Sequence, residues 1–585
     1  MNYKLNTGGA DKAKEPVWVA LRRLLPLMAG EGRNVLIALA ALLVTSGASL
    51  LSPIIISHIV DTFIAGKDYQ GLFTWSGVLL AVFMVALVSG YTQTRTMGGV
   101  GRRILFNLRN AIFTKLQDLP VAFFNQNRSG DLISRINNDT DKLNQFFAQA
   151  LMQFLGNAFL IVGAGVLLLV LNIRLGGAAL LPAVAVLVVT QVLSGWVRRA
   201  SFTSLQTLGN LSGEIQESLA NFKVIVAFNR LDYFRDKFAV ANAANYDASV
   251  KAGAASNIFI PLYGLASTLG QLVVLAYGVS LIAAGDLTVG LLIGFLLYVT
   301  NFYTPLRQLA SIWSSLQLAL AAFDRISEVL ALKSDMDVVP AEARAGAAVL
   351  RFDNVSFGYP DGKDVLKSVS FALERGKTYA LIGPTGGGKT TTASLMARLY
   401  DPSAGTVLLN GKDIRAYSAE ERANQIGFIL QEPFLFTGTV RDNIVYGNAA
   451  LAALSDGELT GRLETAGLSA LLSRFDKGLE TPVSSAGEAM SLGQKQLIAF
   501  IRAALRNPEL LILDEATANI DTMTEQLLGE ILKQLPASTT KVVIAHRLNT
   551  IDSADEIFFV NGGTVTAAGS MENAVNMLLH GTMTS

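Results

Sequence analysis

The N-terminal half of the chain contains six long stretches without any Asp, Glu, Lys or Arg. They cover residues 34–60, 69–94, 143–173, 175–197, 252–285 and 287–306. Each stretch reaches the roughly 20 residues that a helix needs to cross the ~30 Å hydrocarbon core of a bilayer. A buried helix of a soluble protein could be this apolar once, but six in succession predict a membrane domain with six spanning helices.

The basic residues between these stretches are unevenly distributed, and they predict the orientation of the spans. Lys and Arg concentrate in residues 1–33, 95–142 and 198–251, whereas the opposite connections contain only Lys67 and Arg174. Basic residues favour the cytoplasmic side of a membrane. We therefore expect both termini of the chain in the cytoplasm.

The connections on the two sides also differ in length. Those on the outside are short, around residues 61–68, 174 and 286, whereas the inner ones are about fifty residues long and have helical patterning. This asymmetry predicts helices that continue past the bilayer and reverse at inner tips. We expect those tips at residues 120–125 and 212–219.

The hydrophobic pattern changes after Phe323, where a polar, Ala-rich linker precedes a region of alternating strands and helices. Such alternation is typical of an α/β domain around a largely parallel sheet. We expect four segments. They are a cytoplasmic N-terminal segment 1–33, a transmembrane domain 34–328, a linker 329–348 and an α/β domain 349–585.

A glycine-rich loop in the α/β domain is the strongest chemical signal of the sequence. It consists of Gly383, Pro384, Thr385, Gly386, Gly387, Gly388, Lys389 and Thr390, and it fits the pattern G-x-x-x-x-G-K-[ST] of phosphate-binding loops. An apolar strand precedes it, and a helix continues through Thr391. Glycines let backbone N–H groups approach phosphates, Lys389 would reach the β- and γ-phosphates, and the Thr390 hydroxyl would ligate Mg²⁺.

Two adjacent carboxylates end an apolar run farther along the chain. The run Leu510–Leu513 predicts a buried parallel strand, and Asp514 and Glu515 follow it at the edge where ligands bind in such sheets. We expect Asp514 to hold Mg²⁺ and Glu515 to orient and deprotonate the attacking water. The sequence thus predicts hydrolysis of a nucleoside triphosphate.

Composition narrows the function classes further. Hydrophobic residues make up 51% of the chain and charged residues 16%, against the roughly 25% charge of a soluble domain. The net charge of +1 gives no electrostatic footprint for nucleic acid. Cysteine is absent, which excludes thiol catalysis and disulfides, and the three histidines lie too far apart in sequence to suggest a zinc site.

Taken together, these motifs resemble those of a known protein family. Residues 349–570 are similar to the nucleotide-binding domain of ABC transporters, and the six spans with long inner connections resemble one half of a type IV exporter. The most diagnostic segment resembles the family signature, usually LSGGQ. Ser491, Gly493 and Gln494 match that signature, whereas Met490 and Leu492 depart from it. The resemblance implies a multi-domain membrane protein with a six-helix transmembrane domain of the type IV ABC exporter fold and an ABC-type α/β P-loop NTPase domain.

The resemblance also implies roles for further residues. Tyr359 would stack on adenine, Gln431 would contact Mg²⁺ and the membrane domain, and His546 would contact the γ-phosphate. The signature residues would contact ATP held by another chain. Residues 518–521 resemble the D-loop, and the segment from Phe123 to Arg135 resembles the first coupling segment of exporters.

One complete site would thus need two such halves, so we expect the chain to function as a dimer. The altered signature favours a heterodimer with a second half-transporter over a homodimer, which the sequence also allows. ATP and Mg²⁺ are the expected cofactors. We expect a multi-pass protein of the cell membrane, in the plasma or inner membrane of a bacterium.

The spans offer few side chains that could contact a cargo. We expect export of amphipathic or hydrophobic drugs, lipids or peptides by alternating access; an importer, for example of a metal–chelator complex, and an ATP-gated or regulatory membrane subunit are the alternatives. Candidate substrate contacts are the aromatic and amide side chains of the last two spans. They are Gln271, Tyr277, Tyr298, Asn301 and Phe302.

Overall fold

A computed structural model describes most of the chain. The described residues are 3–5, 22, 24–342, 346, 348–360, 362, 364–431, 433–484, 490–514, 522–544, 554–569 and 571–580. The chain divides into two compact units. The helical unit comprises Asn6–Gln117 and Gly130–Ala331, and the α/β unit comprises Met1–Leu5, Asp118–Ser129 and Leu332–Ser585.

Six helical segments among the described residues have the length and apolar composition to cross a membrane, as the sequence predicts. They are Gly32–Ile64, Tyr69–Gln117, Ser129–Leu171, Ile173–Ala220, Leu231–Ala284 and Val289–Leu309. Their apolar faces contain many exposed Leu, Val, Ile and Phe side chains, which suits a surface covered by lipid rather than water. The prediction of six spans is therefore confirmed.

The regular elements described between residues 25 and 331 are all helices. The α-helices are α1 (Gly32–His58), α2 (Tyr69–Gln117), α3 (Val121–Gln126), α4 (Ser129–Ser134), α5 (Thr140–Gln145), α6 (Leu151–Leu171), α7 (Ile173–Ala220), α8 (Phe222–Ala227), α9 (Leu231–Asn257), α10 (Phe259–Ala284) and α11 (Val289–Ala331). A 3₁₀ turn covers Leu25–Met28. Segments of π-helix cover Ile59–Ile64, Arg135–Asp139 and Phe146–Ala150.

Three of the described helices are much longer than a bilayer is thick. Helix α2 has 49 residues, α7 has 48 and α11 has 43, so each is about 65–75 Å long at 1.5 Å per residue. The first inner tip lies where the sequence predicts it, because α3 follows Pro120 directly after α2. The second prediction was wrong. Residues 212–219 remain inside α7, and the chain turns at Asn221 instead.

A second correction concerns the short outer connection between spans three and four. The sequence pattern suggested a break around residue 174, but the helices separate at Asn172, whose backbone is extended. The Asn172 side chain accepts hydrogen bonds from the backbone N–H groups of Arg174 and Leu175, both at 3.1 Å. This is an ordinary N-cap, so the next helix already includes Arg174.

The strands and helices of the C-terminal part alternate, as expected for an α/β domain. The strands are β1 (Ala348–Gly358), β2 (Asp364–Glu374), β3 (Thr378–Ile382), β4 (Ala404–Leu409), β5 (Lys412–Asp413), β6 (Ile426–Ile429), β7 (Gly438–Thr439), β8 (Pro482–Val483), β9 (Leu510–Asp514), β10 (Thr540–Ile544), β11 (Glu556–Asn561) and β12 (Thr564–Ala567). The helices are α12 (Lys389–Met396), α13 (Ala419–Gln425), α14 (Val440–Val445), α15 (Ala449–Ala452), α16 (Asp456–Thr465), α17 (Ser469–Leu472), α18 (Leu492–Ala504), α19 (Thr522–Gln534) and α20 (Met571–His580). Single 3₁₀ turns cover Ile414–Ala416 and Gly478–Glu480.

A six-stranded sheet in the order β12-β11-β3-β10-β9-β6 forms the centre of the α/β unit. All neighbouring strands are parallel except β12, which is antiparallel to β11. A second sheet, in the order β2-β1-β4-β5, is antiparallel. Side chains of both sheets share one core, in which Phe352, Leu381 and Ile512 are essentially inaccessible to solvent.

The register of the parallel strands aligns the expected chemistry at one edge of this sheet. Leu381 pairs with Ile544, and Ile544 pairs with Asp514. Leu513 in turn pairs with Ile429. The carboxyl ends of β3, β10, β9 and β6 therefore lie side by side, where ligands bind in open α/β sheets.

Candidate functional site

The glycine-rich loop joins the buried strand β3 to helix α12, which begins at Lys389. Two of its glycines are required by the backbone. Gly383 has φ +144°, and a Cβ atom there would lie 2.1 Å from the Val560 carbonyl oxygen. Gly388 precedes the helix with φ +114°. A side chain at either position would force the loop away from this path.

The loop and the residues opposite it enclose a cavity of 310 Å³. Its lining residues are Tyr359, Val365, Thr385, Gly386, Gly388, Lys389, Thr390 and Thr391. Of the residues expected to bind ATP, most of the loop and Tyr359 thus meet around one space. The N-terminus of α12 faces the loop, and its backbone N–H groups and partial positive charge suit a phosphate.

Lys389 is held on the loop by backbone carbonyls. Its Nζ atom donates hydrogen bonds to the carbonyl oxygens of Gly383 at 2.8 Å and Pro384 at 3.1 Å, and the residue is buried. Gly387 N–H also donates to the Pro384 carbonyl, at 3.0 Å. These contacts fix the ammonium group inside the curve of the loop, where the phosphates of a nucleotide would lie.

Thr390, which lines the cavity, contacts Asp514 at the end of strand β9. The Thr390 hydroxyl donates a 3.4 Å hydrogen bond to Oδ1 of Asp514, and Asp514 is only 3% exposed. A hydroxyl and a carboxylate in this position offer the hard oxygen ligands that Mg²⁺ prefers. The residues present therefore fit a magnesium ion that also contacts the phosphates of a nucleotide.

Gln431 follows strand β6 and is exposed. Gln431 lies two residues beyond Ile429, which pairs with Leu513. Gln431 and Asp514 therefore lie at the carboxyl ends of two adjacent strands, β6 and β9. Glu515, His546 and residues 518–521 lie outside the described residues. In sequence, Glu515 is the next position after β9 and His546 is two positions after β10, and these two strands are adjacent in the sheet.

Tyr359 belongs to a small aromatic cluster beside the cavity. Its hydroxyl shares a 3.2 Å hydrogen bond with the Thr391 hydroxyl, and its ring is 38% exposed. The rings of Phe357 and Tyr400 pack edge-on against it, with centroids 5.1 Å and 5.4 Å away. An exposed aromatic face held in this way is suited to stacking on a base.

Two residues of this region were missed by the sequence reasoning. Tyr400 supports the Tyr359 ring, and burial raises the pKa of the Tyr400 phenol. Asn125, in helix α3, donates a hydrogen bond to the Tyr400 hydroxyl. No local pattern could have indicated this pair, because the two residues are 275 positions apart.

The signature residues form the start of helix α18. The Ser491 hydroxyl accepts a hydrogen bond from the Gln494 N–H at 3.2 Å, and the Gln494 side-chain oxygen accepts one from the Ser491 N–H at 3.0 Å. This reciprocal capping box leaves Gly493 in the first turn. None of the three lines the cavity around the glycine-rich loop.

The candidate substrate contacts of the helical unit are engaged with neighbouring helices. Tyr298 is fully buried, and its hydroxyl donates to the Leu50 carbonyl. Asn301 donates to the Ser49 carbonyl at 3.0 Å, and Gln271 donates to the Thr300 hydroxyl at 3.1 Å. Tyr277 and Phe302 are partly buried in the same core. Tyr298 is therefore not accessible to a substrate in this arrangement of the helices.

Comparisons with known proteins agree with this arrangement. The family model described as the ABC transporter transmembrane region matches residues 35–306, and the one described as ABC transporter matches residues 366–518. The uncharacterized ABC transporter ATP-binding protein YfiC of Bacillus subtilis is 34% identical over 95% of this chain and 92% of its own length. The putative multidrug export ATP-binding/permease protein YgaD of the same organism is 31% identical over 90% and 92%. A fatty acid ABC transporter ATP-binding/permease protein of Mycobacterium bovis is 30% identical over 86% and 80%.

Proposed function

The chain belongs to the ABC transporter family and couples ATP hydrolysis to transport across the cell membrane, and from this premise we propose that it is one half of an exporter. Its cargo would be amphipathic or hydrophobic molecules such as drugs, lipids or peptides. The observation that carries the proposal is one polypeptide with a built phosphate cavity and six spans whose helices extend far beyond a bilayer. Similarity to a putative multidrug exporter and to a fatty acid transporter supports this direction and this chemistry.

Mg²⁺ would be bound by the Thr390 hydroxyl and the Asp514 carboxylate, with Gln431 as a further oxygen donor. When bound, the ion would neutralise charge on the phosphates of ATP. Lys389 would hold the β- and γ-phosphates, and the N–H groups from Gly386 onward would cradle them. Glu515 would orient the attacking water and accept its proton, as its position after Asp514 indicates.

The second half would be another chain of the same family, because one polypeptide has one phosphate loop and one signature segment. Ser491 and Gly493 would contact ATP held by that partner. The side chain of Leu492, where the family usually has glycine, projects from the first turn of α18. A bulkier first turn would weaken the partner's site, so we favour a heterodimer with two unequal ATP sites.

The two halves would transport cargo by alternating access. ATP bound between the two halves would draw them together, and hydrolysis would release them. Differential binding of about 5.5 kcal/mol moves a two-state balance from 1:99 to 99:1, which two ATP molecules can supply. Both termini and the nucleotide-binding part would be cytoplasmic, since the basic residues concentrate on that side.

The test is ATPase activity in lipid nanodiscs, measured on the chain alone and after co-expression with any half-transporter that a neighbouring gene encodes. The proposal predicts Mg²⁺-dependent hydrolysis that lipophilic cations or free fatty acids stimulate. Activity that needs the neighbour supports the heterodimer, whereas full activity of the chain alone supports a homodimer. Hydrolysis that persists in Lys389→Ala would refute the assignment of the site.

A further inference from the structure

The first described residues of the chain, Tyr3–Leu5, are packed into the α/β unit although they precede the helical unit in sequence. Tyr3 is 1% exposed and Leu5 is 4% exposed. Backbone polar groups that are buried with these side chains need hydrogen-bond partners. We refer to Tyr3–Leu5 as the strap.

The backbone of the strap is hydrogen-bonded to the end of helix α3. Tyr3 N–H donates to Oε1 of Gln126 at 2.8 Å, and Leu5 N–H donates to Oδ1 of Asn127 at 2.9 Å. Nδ2 of Asn127 donates to the Tyr3 carbonyl at 3.0 Å and to the Phe123 carbonyl at 2.8 Å. Asn127 therefore bonds to both the strap and helix α3. These bonds fix the position of the strap relative to the end of the helix.

The side chain of Tyr3 extends from α3 to the linker that enters the α/β unit. Its hydroxyl donates to Oδ1 of Asp335 at 2.5 Å and accepts from the Asp335 N–H at 3.0 Å. Its ring meets the ring of the fully buried Phe123 edge-on, with centroids 6.4 Å apart. Burial raises the pKa of the Tyr3 phenol, and the Asp335 carboxylate raises it further, so the hydroxyl keeps its proton.

We propose that the strap fixes helix α3 to the linker at Asp335, and that Tyr3 is a positioning residue for coupling ATP hydrolysis to transport. The consequence for transport rests on the proposed function. Helix α3 is the turn between α2 and α4, hence between spans two and three, and the linker follows the sixth span. Through Asn125 the same helix contacts Tyr400, which packs against Tyr359 at the nucleotide cavity.

Hydrogen exchange tests the strap directly, and it requires no transport activity. The full chain with its partner half would be studied in nanodiscs, with the purification tag at the C-terminus. We expect Tyr3→Ala to speed exchange in peptides covering residues 118–129 by about fivefold or more, since it removes two hydroxyl hydrogen bonds and the loss of even one costs about 1 kcal/mol. Tyr3→Phe, which keeps the ring against Phe123, should have a smaller effect.

Transport measured per ATP hydrolysed provides the functional readout. Tyr3→Ala should lower this ratio several-fold and leave the KM for ATP unchanged, because Tyr3 does not line the nucleotide cavity. Tyr69→Ala, which removes a tyrosine that is 71% exposed, is the matched control and should change neither measurement.

Unchanged exchange of residues 118–129 in Tyr3→Ala would overturn the strap, whatever the cargo is. Faster exchange with an unchanged transport ratio would overturn its role in coupling. A wild-type protein that hydrolyses ATP without moving any cargo would contradict the proposed function instead, and the exchange experiment would still decide the strap.

Discussion

Asn125 donates a hydrogen bond of 2.6 Å from its Nδ2 atom to the hydroxyl of Tyr400. Asn125 lies in helix α3 at the first inner tip, and Tyr400 lies just after helix α12, which the glycine-rich loop precedes. The Tyr400 ring packs edge-on against Tyr359, whose hydroxyl is bonded to Thr391 in the cavity lining. A continuous chain of contacts therefore joins the inner tip to the nucleotide cavity within one polypeptide.

Tyr400→Phe removes the acceptor of this hydrogen bond and keeps the ring that supports Tyr359. We expect ATP binding to be nearly unchanged, whereas transport per ATP hydrolysed should fall by about three- to tenfold, the equivalent of about 1 kcal/mol. The measurement is the ratio of cargo flux to phosphate release in the same proteoliposomes. Tyr446→Phe is a matched control, since Tyr446 is half-exposed in the same unit. An equal loss in both variants would contradict the role of the Asn125–Tyr400 bond.

Thr390→Val preserves the shape of the side chain and removes the hydroxyl that contacts Asp514. We expect the Mg²⁺ concentration for half-maximal ATPase activity to rise at least tenfold, because one of three proposed oxygen ligands is lost. Thr460→Val, at a partly buried threonine of α16 whose hydroxyl donates only to the Asp456 carbonyl, is the control and should leave the Mg²⁺ dependence unchanged. A Thr390→Val protein with the wild-type Mg²⁺ dependence would exclude Thr390 as a ligand.

Arg135 lies at the centre of a charge network in the helical unit. Its side chain is 1% exposed and forms ion pairs of 2.9 Å with both Asp131 and Glu328. It also donates at 2.6 Å to the Arg325 carbonyl in α11. The residue begins one of the π-helical segments, which are rare and often found at functional sites. The network ties the segment after the first inner tip to the end of the sixth spanning helix.

Arg135→Met should destabilise the protein by about 3 kcal/mol, because it removes a buried guanidinium that pairs with Glu328 and, together with Arg325, with Asp131. The thermal midpoint in detergent should fall by several degrees. Arg235→Met tests the same change at an exposed pair, since Arg235 and Asp232 are 75% and 94% exposed, and it should cost less than about 0.5 kcal/mol. Equal midpoints for the two variants would show that the Arg135 network contributes nothing.

Glu31 provides a pH-dependent contribution at the start of α1. Hydrogen bonds from Arg103 and then Asn34 lower the pKa of the Glu31 carboxyl from 4.5 to about 2. A depressed pKa stabilises the folded state above the unfolded value of 4.5, and this stability is lost as the pH falls toward 2. The difference in thermal unfolding midpoint between the wild type and Glu31→Gln should therefore become smaller as the pH is lowered from 6 to 3. A difference independent of pH would contradict the ion pair.

The sequence predicted the features that rest on local pattern. Six charge-free stretches became six spans, and the glycine-rich loop lies between a buried strand and a helix as its flanking residues indicated. The errors arose where local pattern is weak. Residues 212–219 contain Ser and Gly but remain helical in α7, because their side chains can be exposed without ending the helix.

Contacts between distant positions could not be predicted. Tyr3 binds partners at positions 126, 127 and 335, and no periodicity or propensity connects such positions. From the sequence, Tyr298 is an aromatic side chain of a span that could contact a substrate. In the structure its hydroxyl donates a hydrogen bond to the Leu50 carbonyl between packed helices. Only the three-dimensional arrangement shows which polar groups are already paired.

ATP-dependent uptake into inside-out membrane vesicles tests directly whether the protein is an exporter driven by this nucleotide site. A fluorescent lipophilic cation and a labelled fatty acid would be offered to vesicles containing the wild-type transporter or its Lys389→Ala variant, together with the partner half where the activity requires it. We expect both labelled compounds to accumulate with ATP in vesicles that contain the wild type, and neither to accumulate in vesicles that contain Lys389→Ala. Equal accumulation in both, or uptake confined to right-side-out vesicles, would contradict an exporter driven by this nucleotide site.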